Sequence, residues 1–200
     1  MARRRAVLRG ALRADPLEVA PYLLGKLLVH GRLAARIVEV EAYRGEADPA
    51  SHAYRGRTAR NATMFGRAGL LYVYFSYGMH WCANVVCGDE GVAGAVLLRA
   101  LEPVSGIEEM AAARAARRRS DTPPALRDLC RGPANLTAAL GITRTHDGAD
   151  LLSPASAVRL LDDATPPPAG AALARGPRVG ITRAVEADWR FWVAGSRYVS

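Results

Sequence analysis

The chain has 200 residues, half of them apolar, with a formal net charge of +8 and an isoelectric point near 10.0. That size and apolar content suit one domain with a full core, and the charge points to an acidic partner: nucleic acid, an anionic membrane or a phosphorylated ligand. Three cysteines without CxxC spacing argue against a disulfide scaffold or a zinc cluster and fit buried thiols in a reducing compartment, while no apolar window is long enough to span a membrane and the basic start lacks the apolar stretch of a signal peptide.

Residues 1–13 read as a basic arm without fixed structure, and 14–200 as one cytoplasmic domain. Asp15-Pro16-Leu17-Glu18 opens a helix, with Asp as cap and Pro in the first turn, and Gly25 stops it. Leu27 to His30 and Ala34 to Tyr43 read as strands. Alternation in the second puts Ile37, Glu39, Glu41 and Tyr43 on one face and Val38 and Val40 on the other. Residues 44–69 form a long loop without periodicity, the kind that is usually functional or disordered. Aromatic and β-branched residues then alternate from Leu70 to Val86, broken at Tyr77-Gly78, which predicts a β-hairpin with an aromatic residue at or near its tip. Gly94 to Leu101 is a further strand with Ala95, Leu97 and Arg99 on one face. Ile107 to Arg119 and Pro133 to Leu140 read as helices, the first ending in three arginines that suit the negative end of its dipole, the second followed by Gly141. Thr165 to Pro168 is a surface turn. Arg178 to Ile181 and Arg190 to Val193 read as closing strands. Helices and strands do not alternate regularly, so the class is α+β.

Several residues are candidates for chemistry. Glu41, on a strand beside Tyr43 and just before the long loop, reads as a general base or as a solvent-facing strand residue. Glu39 shares its face roughly 6–7 Å away at Cα, a pairing that also admits a two-carboxylate glycosidase. Arg99, inside an apolar strand, must be paired if buried; it serves either a structural ion pair or the orientation of a carboxylate. His52 reads as a loop histidine, and the four histidines show no metal-ligand spacing. Arg57, Thr58, Arg60 and Asn61 offer phosphate contacts. All but one of the 27 basic residues are arginine, so Lys26 and the terminal amine are the only amines for Schiff-base chemistry. There is no phosphate-binding glycine loop, dinucleotide fingerprint or nucleophile elbow.

Taken in order, Arg36 to Tyr43, Ser51-His52, Arg57 to Asn61, Met64-Phe65, Leu71 to Met79, Asn84, Leu97 to Pro103 and Arg178 to Gly180 resemble the alkyladenine (3-methyladenine) DNA glycosylase family. The resemblance runs from about residue 15 to the C-terminus, and its Glu-Ala-Tyr, Tyr-Gly-Met and Leu-Arg-Ala-Leu-Glu-Pro blocks are specific in this order. It departs at Ala59, where the family often has Pro, and at Arg67-Ala68. It implies a single α+β domain around a curved antiparallel sheet with flanking helices and a protruding hairpin that enters the DNA minor groove. By motif position, Tyr77 takes the place of the flipped nucleotide. Tyr43, His52 and Tyr74 wall the base pocket, and Asn84 crowds the amino group of normal guanine. Glu41 activates water, with Arg99 and the main chain at Val179 holding that water. The implied substrate is double-stranded DNA carrying damaged purines, processed by a monomer without cofactor or metal, associated with a bacterial nucleoid. A non-catalytic damaged-DNA binder is the competing reading.

Overall fold

The computed structural model describes residues 5–76, 78–118, 122 and 124–200. Among them, nine strands form one antiparallel sheet: β1 (Arg5–Ala6), β2 (Leu27–His30), β3 (Leu33–Tyr43), β4 (Leu71–Ser76), β5 (His80–Val86), β6 (Ala95–Ser105), β7 (Val158–Asp162), β8 (Leu173–Gly176) and β9 (Arg190–Val193). The main path runs β1-β7-β2-β3-β6-β5-β4. The far half of β3 also pairs β9, which in turn pairs β8. Helices α1 (Pro16–Leu23), α2 (Ile107–Arg118) and α3 (Pro133–Leu140) flank it, and their apolar residues join Ile37, Val40, Val85, Val96 and Leu98 in the main core. The α+β class and the antiparallel sheet match the expectation.

Local signals act where the sequence places them. Asp15 caps α1 by accepting from the Leu17 amide at 2.9 Å. Gly141 closes α3 in the left-handed region, φ 65°. Strands β4 and β5 pair antiparallel, from Leu71 opposite Val85 to Ser76 opposite His80; Tyr77, expected near a hairpin tip between them, lies outside the described residues.

Three expectations need revision. Arg178–Ile181 is not a strand: Arg178 turns inward and Gly180 has φ 77°, so the extended run breaks, and β8 lies just before it. The five-residue β7 carried no signal long enough to read. From Arg5 onward the basic segment is packed: β1 pairs β7, Arg9 bridges Asp150 at 2.8 Å, and Leu12 is fully buried.

The most consequential departure is in β3. The alternation expected from Ile37 to Tyr43 is interrupted by a β-bulge. Ile37 pairs Leu101 and Glu39 pairs Ala100, so Val38 is the extra residue; Val40 then pairs Leu98, leaving Arg99 as the extra residue on β6. A bulge keeps two successive residues on one side and re-aims their side chains. Ile37 and Val40 both stay in the main core, while Val38 and Ala100 form a small cluster on the other face with Tyr198. The two extra residues cancel in register, and Glu39, Glu41 and Arg99 share that face.

Candidate active site

Glu41 sits fully buried on β3, between β6 and β9. A buried carboxylate must be hydrogen-bonded and balanced by a cation, and this one is held from three sides. Its Oε1 accepts from the Val179 amide at 2.8 Å and from Arg99 Nη1 at 3.2 Å; its Oε2 accepts from the Tyr43 hydroxyl at 2.9 Å. An ionised carboxylate offers about four acceptor sites. Three are filled, and the free one is on Oε2.

Above Glu41 and Arg99 opens a cavity of about 570 Å³, lined by Tyr43, His52, Tyr72, Tyr74, Cys82, Asn84, Leu97, Arg99 and Val179, with Arg60, His80 and Arg183 among its other lining residues. The His52 ring lies 4.3 Å from that of Tyr74, edge to face, and Tyr72 lies 5.5 Å from Tyr74. His52 Nδ1 is 3.2 Å from the Tyr72 hydroxyl. His52 keeps an open side to solvent, yet its packing, and then the charge of Arg60, lower its pKa. The imidazole is neutral at pH 7. Burial pushes Tyr72 up to about 12 and raises Tyr43 and Tyr74 further, the Glu41 carboxylate adding to the effect on Tyr43. All three phenols stay protonated, so Tyr43 donates to Glu41 across the working range.

The loop carrying His52 is built rather than slack. Gly45, φ 59°, has no room for a Cβ, which would stand 2.1 Å from the Ala93 carbonyl oxygen; only glycine turns the chain there. Asn61 is buried, donating to the carbonyls of His52 and Gly56 at 2.9 and 3.0 Å and accepting from the Thr58 amide at 2.6 Å. Its side chain is therefore committed to the loop. Arg57, Thr58 and Arg60 are exposed, and Arg60 also donates to the Phe75 carbonyl at 3.2 Å.

The structure thus brings Glu41, Arg99, Val179 and Tyr43 together and sets His52, Tyr74 and Asn84 in the cavity wall; Asn84 also donates to the Tyr72 carbonyl at 3.1 Å. Both carboxylates are fully buried, but Glu41 is bonded by three residues of the cavity wall, Tyr43, Arg99 and Val179. Glu39 is bound by Arg99, Arg190 and the Ser200 amide, on the other edge of the guanidinium, which removes the two-carboxylate arrangement. Sequence reading missed Tyr72, although it stands two residues before Tyr74 and shares its face. It also missed a buried pair behind the wall. The Arg178 guanidinium forms a two-pronged ion pair with Asp48, donates to the Ala42 carbonyl at 3.0 Å, and lies between the rings of Tyr43 and Trp189 at 4.6 and 4.8 Å. Nothing in the local sequence distinguishes those two residues from solvated charges. Among the described residues, no group of three His, Cys, Asp or Glu is placed to hold a metal ion, and no helix is long and apolar enough to cross a membrane.

Residues 11–197 match the model of the methylpurine-DNA glycosylase family. The chain belongs to that family. Curated relatives match it over most of both lengths. One from Burkholderia orbicola (strain MC0-3), provisionally named 3-methyladenine DNA glycosylase, is 56% identical over 92% of this chain and 85% of its own. One from Nocardia farcinica with the same provisional name is 51% identical over 93% and 86%, and one from Koribacter versatilis is 47% identical over 96% and 91%.

Proposed function

We propose that this DNA glycosylase excises damaged purines from double-stranded DNA: N-alkylated bases such as 3-methyladenine and 7-methylguanine, and the deaminated or etheno-bridged class that includes hypoxanthine and ethenoadenine. The observation that carries the reading is Glu41, buried directly behind Tyr43, Arg99 and Val179, three lining residues of an aromatic cavity that each donate to it, with one acceptor site free. A base inside a duplex is unreachable, so it must be flipped out at a cost of a few kcal/mol. Tyr77, by its motif position, is the wedge that fills the gap and kinks the helix. The cavity wall of Tyr43, His52 and Tyr74 stacks the extruded base. Electron-rich faces favour a cationic alkylated purine by roughly 0.5–2 kcal/mol, and a neutral His52 adds no repulsion.

The same positive charge makes an alkylated base a good leaving group. The sugar then passes through an oxocarbenium-like state, and the protein must deliver water to its far side. The free Oε2 site of Glu41 accepts that water's proton, while Arg99 and the Val179 amide fix the carboxylate. The products are the free base and an abasic site, with no covalent enzyme intermediate. Asn84 narrows the pocket against the exocyclic amino group of normal guanine. Arg57 and Arg60, both exposed, contact the DNA backbone in this reading. In this reading the enzyme acts as a monomer on the DNA of a bacterial nucleoid. The test is single-turnover release of 3-methyladenine or hypoxanthine from a lesion-bearing duplex. Release that disappears with Glu41→Gln supports the reading, and tight lesion binding without release by the unaltered protein overturns it.

A further inference from the structure

Glu39 is the buried charge that the reaction above does not use. Its side chain is wholly enclosed. Oε1 lies 3.3 Å from Arg99 Nε and 3.1 Å from Arg190 Nη1, and Oε2 accepts from the Ser200 amide at 2.7 Å. Arg190 is itself held, stacked 4.5 Å over the Trp192 ring. Ser200 completes the frame: its hydroxyl accepts from both Nε and Nη2 of Arg99 at 3.1 Å. The guanidinium thus presents its two-nitrogen edge to Glu39 and Ser200 and only Nη1 to Glu41.

That orientation matters because an arginine with one carboxylate partner prefers a bidentate fork, two parallel N–H bonds onto both oxygens. Such a fork on Glu41 would fill the free acceptor site on Oε2. We infer that Glu39, with the Ser200 hydroxyl, is a positioning residue: it holds the paired nitrogens of Arg99 away from Glu41, so that Arg99 fixes one carboxylate oxygen and leaves the other open to water. The inference rests on the glycosylase reading of Glu41 but concerns a group outside the cavity. The alternation of charge, Arg190, Glu39, Arg99, Glu41, is the physical form of the device: each inner ion is shared between two opposite neighbours.

The experiment compares Glu39→Gln, Ser200→Ala and Ser200→Thr with Asp163→Asn. The last breaks a different partly buried pair, Arg36 with Asp163, and reports what lost stability alone does. Glu39→Gln keeps the shape and removes the charge; it should slow single-turnover base release about a hundredfold, as small misplacements of catalytic groups do, with lesion-duplex affinity little changed. Ser200→Ala should slow release about tenfold, since it removes the acceptor shared by Arg99 Nε and Nη2, and Ser200→Thr should restore it. Asp163→Asn should lower the melting temperature and leave release at the wild-type rate. In DNA-free protein, the Arg99 Nε–H proton, read by nitrogen-15 NMR, should exchange faster with solvent in Glu39→Gln and Ser200→Ala alone. Wild-type release in Glu39→Gln and Ser200→Ala, losses that merely follow melting temperature, or unaltered Nε–H exchange would each overturn the inference. If Glu39→Gln does not fold, the Ser200 pair decides. If the unaltered protein releases no base from any lesion, the glycosylase reading falls while the Nε–H exchange still decides whether Glu39 orients Arg99.

Discussion

Replacing Glu41 with glutamine separates chemistry from binding. The carboxamide has one oxygen and one NH₂ group in the space of two oxygens. The Val179 amide and Arg99 Nη1 both donate to Oε1, so the amide oxygen must take that place and the NH₂ group falls at Oε2. There Tyr43 is the hydrogen-bond partner, and its hydroxyl can turn from donor to acceptor. The second amide N–H and the released Tyr43 O–H must turn to the cavity that Tyr43 lines, where solvent can accept them, and Arg99 retains Glu39 and Ser200. Folding and lesion affinity should therefore change little. What disappears is the acceptor for the water's proton. General-base catalysis is worth about 10²–10⁴ in rate, or roughly 2.7–5.5 kcal/mol of barrier at 1.36 kcal/mol per decade. The assay is single-turnover excision at saturating enzyme, alongside lesion-duplex titration and thermal melting. Excision at the wild-type rate would remove Glu41 from the reaction. A collapse of melting temperature instead would show that the hydrogen-bond accommodation argued above is wrong.

Removing the Arg178 guanidinium with Arg178→Met leaves Asp48 as an uncompensated buried charge; that should destabilise the fold by about 3–5 kcal/mol, read as a melting-temperature fall of about 10 °C. Asn61→Ala strips three hydrogen bonds from the His52 loop and should reduce stability by about 1–3 kcal/mol, with faster proteolysis confined to residues 53–61 as the local readout. His52, His80 and His146 all have folded-state pKa values lowered by burial, so the unfolded chain binds more protons as pH falls; stability should be full above about pH 6.5 and decline below it, a decline that His52→Gln should lessen in a pH series of thermal melts. DNA affinity should fall steeply with salt as phosphate contacts release counterions; a flat response would deny the exposed arginines that role.

The parts of the fold legible in the sequence are those where a periodic pattern coincides with burial on one side. Strands β2 to β6 and all three helices carry such patterns, with caps at Asp15 and Gly141. What was illegible is of two kinds. Short elements such as β7 offer too few residues for a period to emerge. The bulges are the second kind: nothing in Arg36 to Tyr43 announces that Val38 steps out of register, because the step exists only against an opposing residue of β6. The site divides in the same way. Glu41, Tyr43 and Arg99 stand out because charges and phenols in apolar strands are anomalous. Asp48 and Arg178 look like ordinary loop charges until the fold buries both.

The paired bulges cancel in register: Ile37 pairs Leu101 on one side of them and Glu41 pairs Leu97 on the other, as in an unbroken ladder. Arg99 is therefore the diagonal neighbour of Glu41, about 7–8 Å along the ladder and within reach of a long side chain. Here Glu41 pairs Leu97, and Arg99 is the residue displaced from the ladder. Displacement gives its side chain the freedom to run back toward Glu41 while its other edge meets Glu39, the first residue after the bulge on β3. Regular pairing would set Arg99 directly opposite Glu39 and leave it diagonal to Glu41. What the opposed irregularities set is the local backbone from which one guanidinium reaches both carboxylates, not whether the three side chains share a face.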